Sequence, residues 1–98
     1  MLAVISPSNR KDKKYSAIVI NDGKVKTIHF GATGYEDFTT HGDESRRDKY
    51  DKRHNKKENW DDPYTAGFWA KNLLWNKPTV EESIADTEKR YNMRIIFV

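Results

Sequence analysis

The sequence predicts an α+β fold in which an N-terminal β-hairpin packs against two or three helices. Two β-rich runs, residues 15–20 and 25–30, flank the tetrapeptide Asn-Asp-Gly-Lys. Residues 65–79 read TAGFWAKNLLWNKPT and concentrate Phe, Trp and Leu side chains in one short segment. Residues 79–92 carry the start and stop signals of a further helix. Strand signals followed by helix signals are typical of α+β proteins.

Length and composition limit the size of the core. The 98 residues indicate one domain spanning residues 1–98, with a hairpin region at 1–34 and a helical region at 35–98. Hydrophobic residues make up 36% of the chain and charged residues 34%, so the core must be thin. Aromatic residues, at 12%, partly compensate because each buries a large apolar area.

The hairpin is the clearest local signal. Asp-Gly between two β-rich runs favours a tight turn because Gly accepts the positive φ that such turns need. Ile28 and Phe30 are expected to face the core, with Lys26 pointing outward. Residues 2–6 form a strand or an extended arm. Residues 94–98 indicate a final strand, which could extend the hairpin to a three- or four-stranded antiparallel sheet.

After the hairpin, glycines at 31 and 34 are expected to break the strand. Residues 35–38 are interpreted as a turn or a short extended piece anchored by two aromatic side chains, Tyr35 and Phe38. Residues 39–42 are expected to form a loop.

Three helices are predicted in the second half. The first begins near Asp43, which can cap it, runs to about residue 58 and is polar nearly all round. The second is the aromatic segment, capped by Thr65. The third starts with a capping box at Thr79 and Glu82 and stops at Asn92. Its predicted inner stripe consists of Val80, Ile84, Thr87 and Tyr91.

The absence of cysteine excludes disulfides and cysteine-ligated zinc. No run of residues approaches the length of a membrane span. The N-terminal stretch has its basic residues after a short apolar run, which is the wrong order for a secretory signal. We therefore expect a protein that is neither secreted nor membrane-spanning.

Residues 46–57, RRDKYDKRHNKK, carry seven Lys or Arg residues. Such a segment is a solvated, ion-paired helix surface, a contact for nucleic-acid phosphates, or a docking site for an acidic protein. Lys11, Lys13 and Lys14 would strengthen the nucleic-acid interpretation if the fold brings them alongside. The candidate binding residues are Arg46, Arg47, Lys49, Tyr50, Arg53, His54, Lys56 and Lys57.

The aromatic side chains Trp60, Phe68, Trp69 and Trp75 form a second candidate group. At helical spacing they favour a core role, yet a chain of this size cannot easily hide three tryptophans. Trp is common at interface hot spots, so an uncovered one would indicate a protein contact.

The sequence offers no catalytic constellation. The histidines His29, His41 and His54, with Asp43 and Asp51 near the last two, resemble the His-Asn-His nucleases only superficially. The glycines after the hairpin match no phosphate-binding loop. We expect no catalytic residues, no metal, no cofactor and no small-molecule substrate.

Several strings in the sequence resemble one known family. They are HFGATGYEDFTTH, RRDKYDKRH, ENW and TAGFWAKNLLWNKPT followed by SIADTEKRY. This combination resembles small uncharacterised proteins of large double-stranded DNA viruses, of the mimivirus and phycodnavirus kinds, over residues 6–91. The resemblance implies a viral setting and brings no enzymatic activity.

The expected function is accordingly a non-enzymatic structural or assembly role. The resemblance implies a minor virion component of the capsid or core that contacts other virion proteins. The alternative is a basic nucleic-acid-binding protein that contacts phosphates through the helix at 46–57. The expected location is the virion, or the cytoplasm or nucleus of an infected cell.

Overall fold

A computed structural model of the chain describes residues 1–54 and 60–98. It contains one four-stranded sheet in the order β3-β2-β1-β4, with helices packed on one face. The strands are β1 (Leu2–Pro7), β2 (Lys13–Asn21), β3 (Lys24–Ala32) and β4 (Arg94–Phe97). The predicted α+β class is therefore confirmed.

The predicted hairpin is formed by β2 and β3, which pair antiparallel with Asn21 opposite Lys24. The two turn residues, Asp22 and Gly23, have φ angles of 50° and 77°. Positive φ at both central positions is the geometry of the turn that fits the twist of paired strands. Ile28 and Phe30 are buried, as predicted.

The first and last strands extend the hairpin sheet, but not in the expected orientation throughout. β1 pairs antiparallel with β2, whereas β4 pairs parallel with β1, with Leu2 opposite Arg94. The expectation of a wholly antiparallel sheet was wrong at this pair. Two parallel neighbouring strands need a crossover connection between them. Here the helical region returns the chain to the β1 side of the sheet, so that β4 starts beside the start of β1.

The helices are α1 (Phe38–His41), α2 (Glu44–His54), α3 (Ala66–Trp69) and α4 (Val80–Tyr91), and α3 continues into a π-helical segment, Ala70–Leu74. No helix within the described ranges is long and apolar enough to cross a membrane.

The short helix α1 occupies most of the region predicted as a loop at 39–42. The Asp37 carboxylate caps it by accepting a hydrogen bond from the Thr39 backbone N–H. In return, the Thr40 hydroxyl accepts a hydrogen bond from the Asp37 backbone N–H. Gly42 ends the helix in the left-handed conformation, with φ 64°. A polar run with a reciprocal cap was thus sufficient to form one helical turn.

The polar helix α2 starts where predicted, because the Asp43 carboxylate accepts from the backbone of Ser45 and Arg46. The predicted continuation of this helix to residue 58 lies outside the described residues, as do Lys56 and Lys57.

The aromatic segment supplies the centre of the core. Thr65 caps α3 as predicted by accepting from the Phe68 backbone. Phe68 and Trp69 are fully buried, and the Trp69 indole N–H donates to the Pro63 carbonyl at 2.7 Å. The π-helical continuation was not predicted.

Helix α4 begins at the Thr79 cap and ends at Asn92, as predicted. Its innermost residues are Ser83 and Thr87, both fully buried. Of the predicted inner stripe only Thr87 is buried, and Val80, Ile84 and Tyr91 are partly exposed. The Thr87 hydroxyl lies 3.2 Å from the backbone oxygen of Asn72, so α4 approaches the π-helical segment through small side chains.

The core lies between the inner face of the sheet and the aromatic segment. Its residues from β1 to β3 are Ala3, Ile5, Ala17, Val19, Ile28 and Phe30. Opposite them lie Phe68, Trp69, Leu73 and Leu74, with Met93 and Ile95 closing one end.

Candidate functional site

A cleft of about 470 Å³ opens between the open end of the β2–β3 hairpin, where β2 starts and β3 ends, helix α2 and the aromatic segment. We call it the basic cleft. The acidic and basic residues that line it are Lys13, Lys14, Glu36, Asp37, Arg46, Lys49, Arg53 and His54. The uncharged residues that line it are Phe30, Gly31, Ala32, Tyr35, Tyr50, Ala66, Gly67, Ala70, Leu74 and Trp75.

Small residues leave the space that the cleft occupies. Ala66, Gly67 and Ala70 present little side-chain volume on the aromatic segment. Gly31 has a φ of 79°, and a Cβ built on it would lie 2.8 Å from the Leu74 side chain. A larger residue at position 31 would therefore strain the backbone and crowd Leu74, which glycine avoids.

Helix α2 forms one wall of the cleft, and contacts of Tyr50 and Asp51 attach it to the aromatic segment. The ring of Tyr50 stacks on the indole of Trp75, and the Lys71 ammonium donates to the Asp51 carboxylate at 2.7 Å. The otherwise polar helix is thereby fixed on the domain.

Arg47 adds a third attachment of α2 and does not line the cleft. Its guanidinium donates to the Asn76 carbonyl at 3.2 Å and lies over the Phe38 ring. This candidate binding residue is thus engaged within the fold.

Only part of the positive charge in the cleft is neutralised within the fold. The Lys14 ammonium lies 2.6 Å from the Asp37 carboxylate, and Arg46 lies 3.8 Å from Glu36. Five Lys or Arg residues face two acidic residues among the lining positions, which leaves a net charge of +3 with histidine neutral.

Three of the cationic side chains carry the excess charge. The side chains of Lys13, Lys49 and Arg53 form no hydrogen bond or ion pair with any other described part of the chain. Lys49 and Arg53 lie one helical turn apart on α2, and Lys13 comes from the start of β2. The fold therefore brings Lys13 and Lys14 alongside the basic helix, whereas Lys11 does not line the cleft.

Tyr35 lines the cleft and exposes 74% of its surface. The prediction that Tyr35 and Phe38 both anchor the turn is correct only for Phe38, which is buried at the start of α1. The reason is that Asp37 caps α1 and directs the next residue inward, which leaves Tyr35 on the preceding loop.

The remaining aromatic candidates divide between core and surface. Phe68 and Trp69 are buried, whereas Trp60 and Trp75 are partly exposed. Of these four only Trp75 lines the cleft. No tryptophan is therefore fully uncovered, and Trp75 is the one that reaches the candidate site.

The three histidines do not converge. The Nδ1 atom of His29 lies 2.7 Å from the Ser8 hydroxyl, Nδ1 of His41 accepts from the Asp43 backbone, and His54 stacks on Tyr50. Within residues 1–54 and 60–98, no group of three or more His, Asp and Glu side chains is arranged to hold a metal ion.

One wall of the cleft is predictable from the sequence, and the other walls are not. Arg46, Lys49, Tyr50, Arg53 and His54 line it as one predicted group. The contributions of Tyr35 and Ala66 were not predicted. The exposed aromatic in a polar loop was the available signal for Tyr35.

The fold and the cleft define a small α+β protein with a basic, aromatic-lined cleft on one side of its sheet. The chain belongs to the family of unknown function DUF5754, whose model matches residues 3–54, just over half of the sequence. The matched segment spans most of β1, all of β2 and β3, α1 and α2, and so contains every cationic residue of the cleft. No curated protein and no solved structure gave a match.

Proposed function

We propose that the protein binds nucleic acid through the basic cleft. The observation that supports this most directly is the group of three cationic side chains, Lys13, Lys49 and Arg53, that form no hydrogen bond or ion pair within the described chain. A solvated, ion-paired surface would have paired these groups with neighbouring carboxylates. Here the nearest acids in the cleft, Glu36 and Asp37, are engaged by Arg46 and Lys14.

Phosphate groups are the chemical partners that suit this arrangement. Lys and Arg side chains that contact phosphates displace the counterions condensed on a nucleic acid, and this release favours binding. An acidic protein would also be attracted, but the exposed ring of Tyr35 adds a surface on which a base can stack.

A charge-reversal pair tests the proposal. Arg53→Glu places an acid in the cleft, whereas Lys52→Glu makes the same charge change on the same helix at an exposed position outside the lining. We expect Arg53→Glu to abolish most of the affinity for an oligonucleotide at low salt, and Lys52→Glu to weaken it only slightly. Fluorescence anisotropy over a salt titration measures both.

The salt dependence separates the cleft from general attraction. Neutralising Lys49 or Arg53 should reduce the slope of log affinity against log salt by about one phosphate contact each. Equal losses for Arg53→Glu and Lys52→Glu would show that only net charge matters, and the cleft would then have no special role.

A second proposal is that the protein is a minor virion component, as the family resemblance implies. The supporting observation is the sheet face opposite the helices. Thr27, Ile18, Val4 and Ile96 form a row across all four strands, and each pairs with the next. Ile18 and Val4 are partly exposed, and Ile96 exposes 39% of its surface.

An open sheet face with an apolar centre suits a protein partner. Mass spectrometry of purified particles should find the protein at a fixed copy number, and Ile18→Lys should lower its incorporation. Ala85→Lys, at an exposed position on α4 and so on the opposite side of the sheet, is the matched control. Absence of the protein from purified particles would exclude this role.

A further inference from the structure

The surface that combines charge, aromatic side chains and free volume is the basic cleft. We infer that it seats an unpaired nucleotide, so that the protein selects single-stranded nucleic acid over a duplex. This inference rests on the proposed nucleic-acid-binding function and names the form of nucleic acid that the cleft recognises.

The first observation is the concave shape of the site. Its volume of about 470 Å³ falls in the range of about 300–1,000 Å³ that is usual for pockets holding small organic groups. A duplex presents its phosphates on a convex surface and keeps its bases stacked inside. It would contact the rim of such a cleft and leave the interior unfilled.

The second observation is the lining of that interior. Tyr35 lines the cleft with 74% of its surface exposed, whereas Trp75 is half-buried there and stacks on Tyr50. Ala66, Gly67 and Ala70 leave the adjacent surface flat. An unstacked base has two apolar faces and gains from stacking on such a lining, whereas a phosphate gains nothing from it.

The third observation is the position of the charges relative to this lining. Lys49 and Arg53 lie on α2 and Lys13 on β2, so cationic groups reach the cleft from two separate elements. A strand crossing the cleft would have phosphates within reach of both elements while one base enters between them.

The exposed tyrosine gives the sharpest test, because replacing it should not disturb the fold. We expect Tyr35→Ala to lower the affinity for an oligothymidine strand by roughly tenfold, the effect of losing one stacked base. Tyr35→Trp should retain the affinity. Phe97→Ala, which removes an aromatic side chain that is 45% exposed and outside the cleft, is the control.

A second variant fills the cleft without removing charge. Ala66 is exposed and lines the cleft, so Ala66→Leu should fold normally and obstruct the interior. It should weaken binding of the single strand and leave binding of a duplex of the same length unchanged.

The outcomes separate the inference from the function on which it rests. Tighter binding of the single strand, with selective losses in Tyr35→Ala and Ala66→Leu, supports the inference. Equal, salt-dependent binding of both forms, with no effect of either variant, would overturn it while leaving nucleic-acid binding intact. Failure of the wild-type protein to bind either form at low salt would overturn both.

Discussion

The ring of Tyr50 lies parallel to the indole of Trp75, with 4.4 Å between the ring centroids and 4° between the planes. Tyr50 is the one aromatic residue of α2 and is 6% exposed. A helix that is otherwise charged gains little from burial, so this stacked pair is a main attachment of α2 to the domain. It also sets the position of the cationic side chains that α2 carries.

Removing this attachment should be costly. We expect Tyr50→Ala to lower the free energy of unfolding by roughly 2–4 kcal/mol, because a buried aromatic side chain is lost. Lys52→Ala, at an exposed position on the same helix, should change it by less than about 0.5 kcal/mol. Denaturant titration measures both, and similar values for the two variants would show that α2 is held by other contacts.

Gly31 and Gly23 offer a matched comparison of backbone strain with and without crowding. Their φ angles are nearly equal, +79° at Gly31 and +77° at Gly23. A Cβ at Gly31 would lie 2.8 Å from the Leu74 side chain, whereas a Cβ at Gly23 would meet no atom within 4 Å. Each Ala variant should lose about 1–2 kcal/mol from the left-handed backbone alone. Gly31→Ala should lose roughly 1–3 kcal/mol more from overpacking. Thermal unfolding that gave equal losses would contradict the close approach.

Asn72 is a buried side chain with partners on three sides. Its amide group donates to the carbonyl oxygens of Phe68 and Trp60, and its oxygen accepts from the Arg90 guanidinium at 2.6 Å. Asn72→Ala leaves these groups without their partner and should cost about 1–3 kcal/mol.

The control for Asn72 is an asparagine on the surface. Asn9→Ala, in the exposed turn between β1 and β2, should leave the denaturation midpoint nearly unchanged. A mild effect of Asn72→Ala would mean that water replaces the amide in the fold.

Asp86 should make stability depend on pH in the acid range. The amide of Asn76 and then the guanidinium of Arg90 donate hydrogen bonds to this carboxylate and lower its pKa below the ordinary value of 3.8. Because the pKa of Asp86 is lower in the folded state than in the unfolded state, the ionised carboxylate stabilises the fold fully above pH 3.8. This contribution to the free energy of unfolding is lost as the pH falls through the pKa of the folded state.

Replacement of this carboxylate tests the linkage. Asp86→Asn should be less stable than the wild type near neutral pH, by about 1 kcal/mol, and the difference should shrink as the pH falls below 3.8. Asp48→Asn, at an exposed position on α2, is the control and should change the stability at neutral pH by less than about 0.5 kcal/mol. Melting temperatures recorded across the acid range give the comparison, and a constant difference would exclude a role for Asp86 ionisation.

The features predicted correctly were those with local causes. The Asp22-Gly23 turn, the caps at Asp43, Thr65 and Thr79, and the stop at Asn92 all depend on residues within a few positions of one another. Such signals can be read from the sequence because their energetics do not involve distant partners.

The features that were missed depend on tertiary contacts. The parallel pairing of β4 joins opposite ends of the described chain, and no local pattern encodes its direction. The π-helical segment forms where Asn72 and Leu73 pack under α4 and the sheet, which propensity does not record. Tyr35 and Phe38 belong to one residue class, so the sequence could not show which of them faces solvent.

The parallel pairing of β1 with β4 has a consequence for how the chain folds. Contacts between positions so distant in sequence form slowly, because a long loop must close before they contribute. The segment 3–54 carries most of β1 and all of β2 and β3, but neither β4, which pairs with β1, nor Trp69, which packs against Phe30. Cut after residue 54, it would expose an apolar sheet face and an unpaired strand edge, and we expect it to aggregate rather than fold.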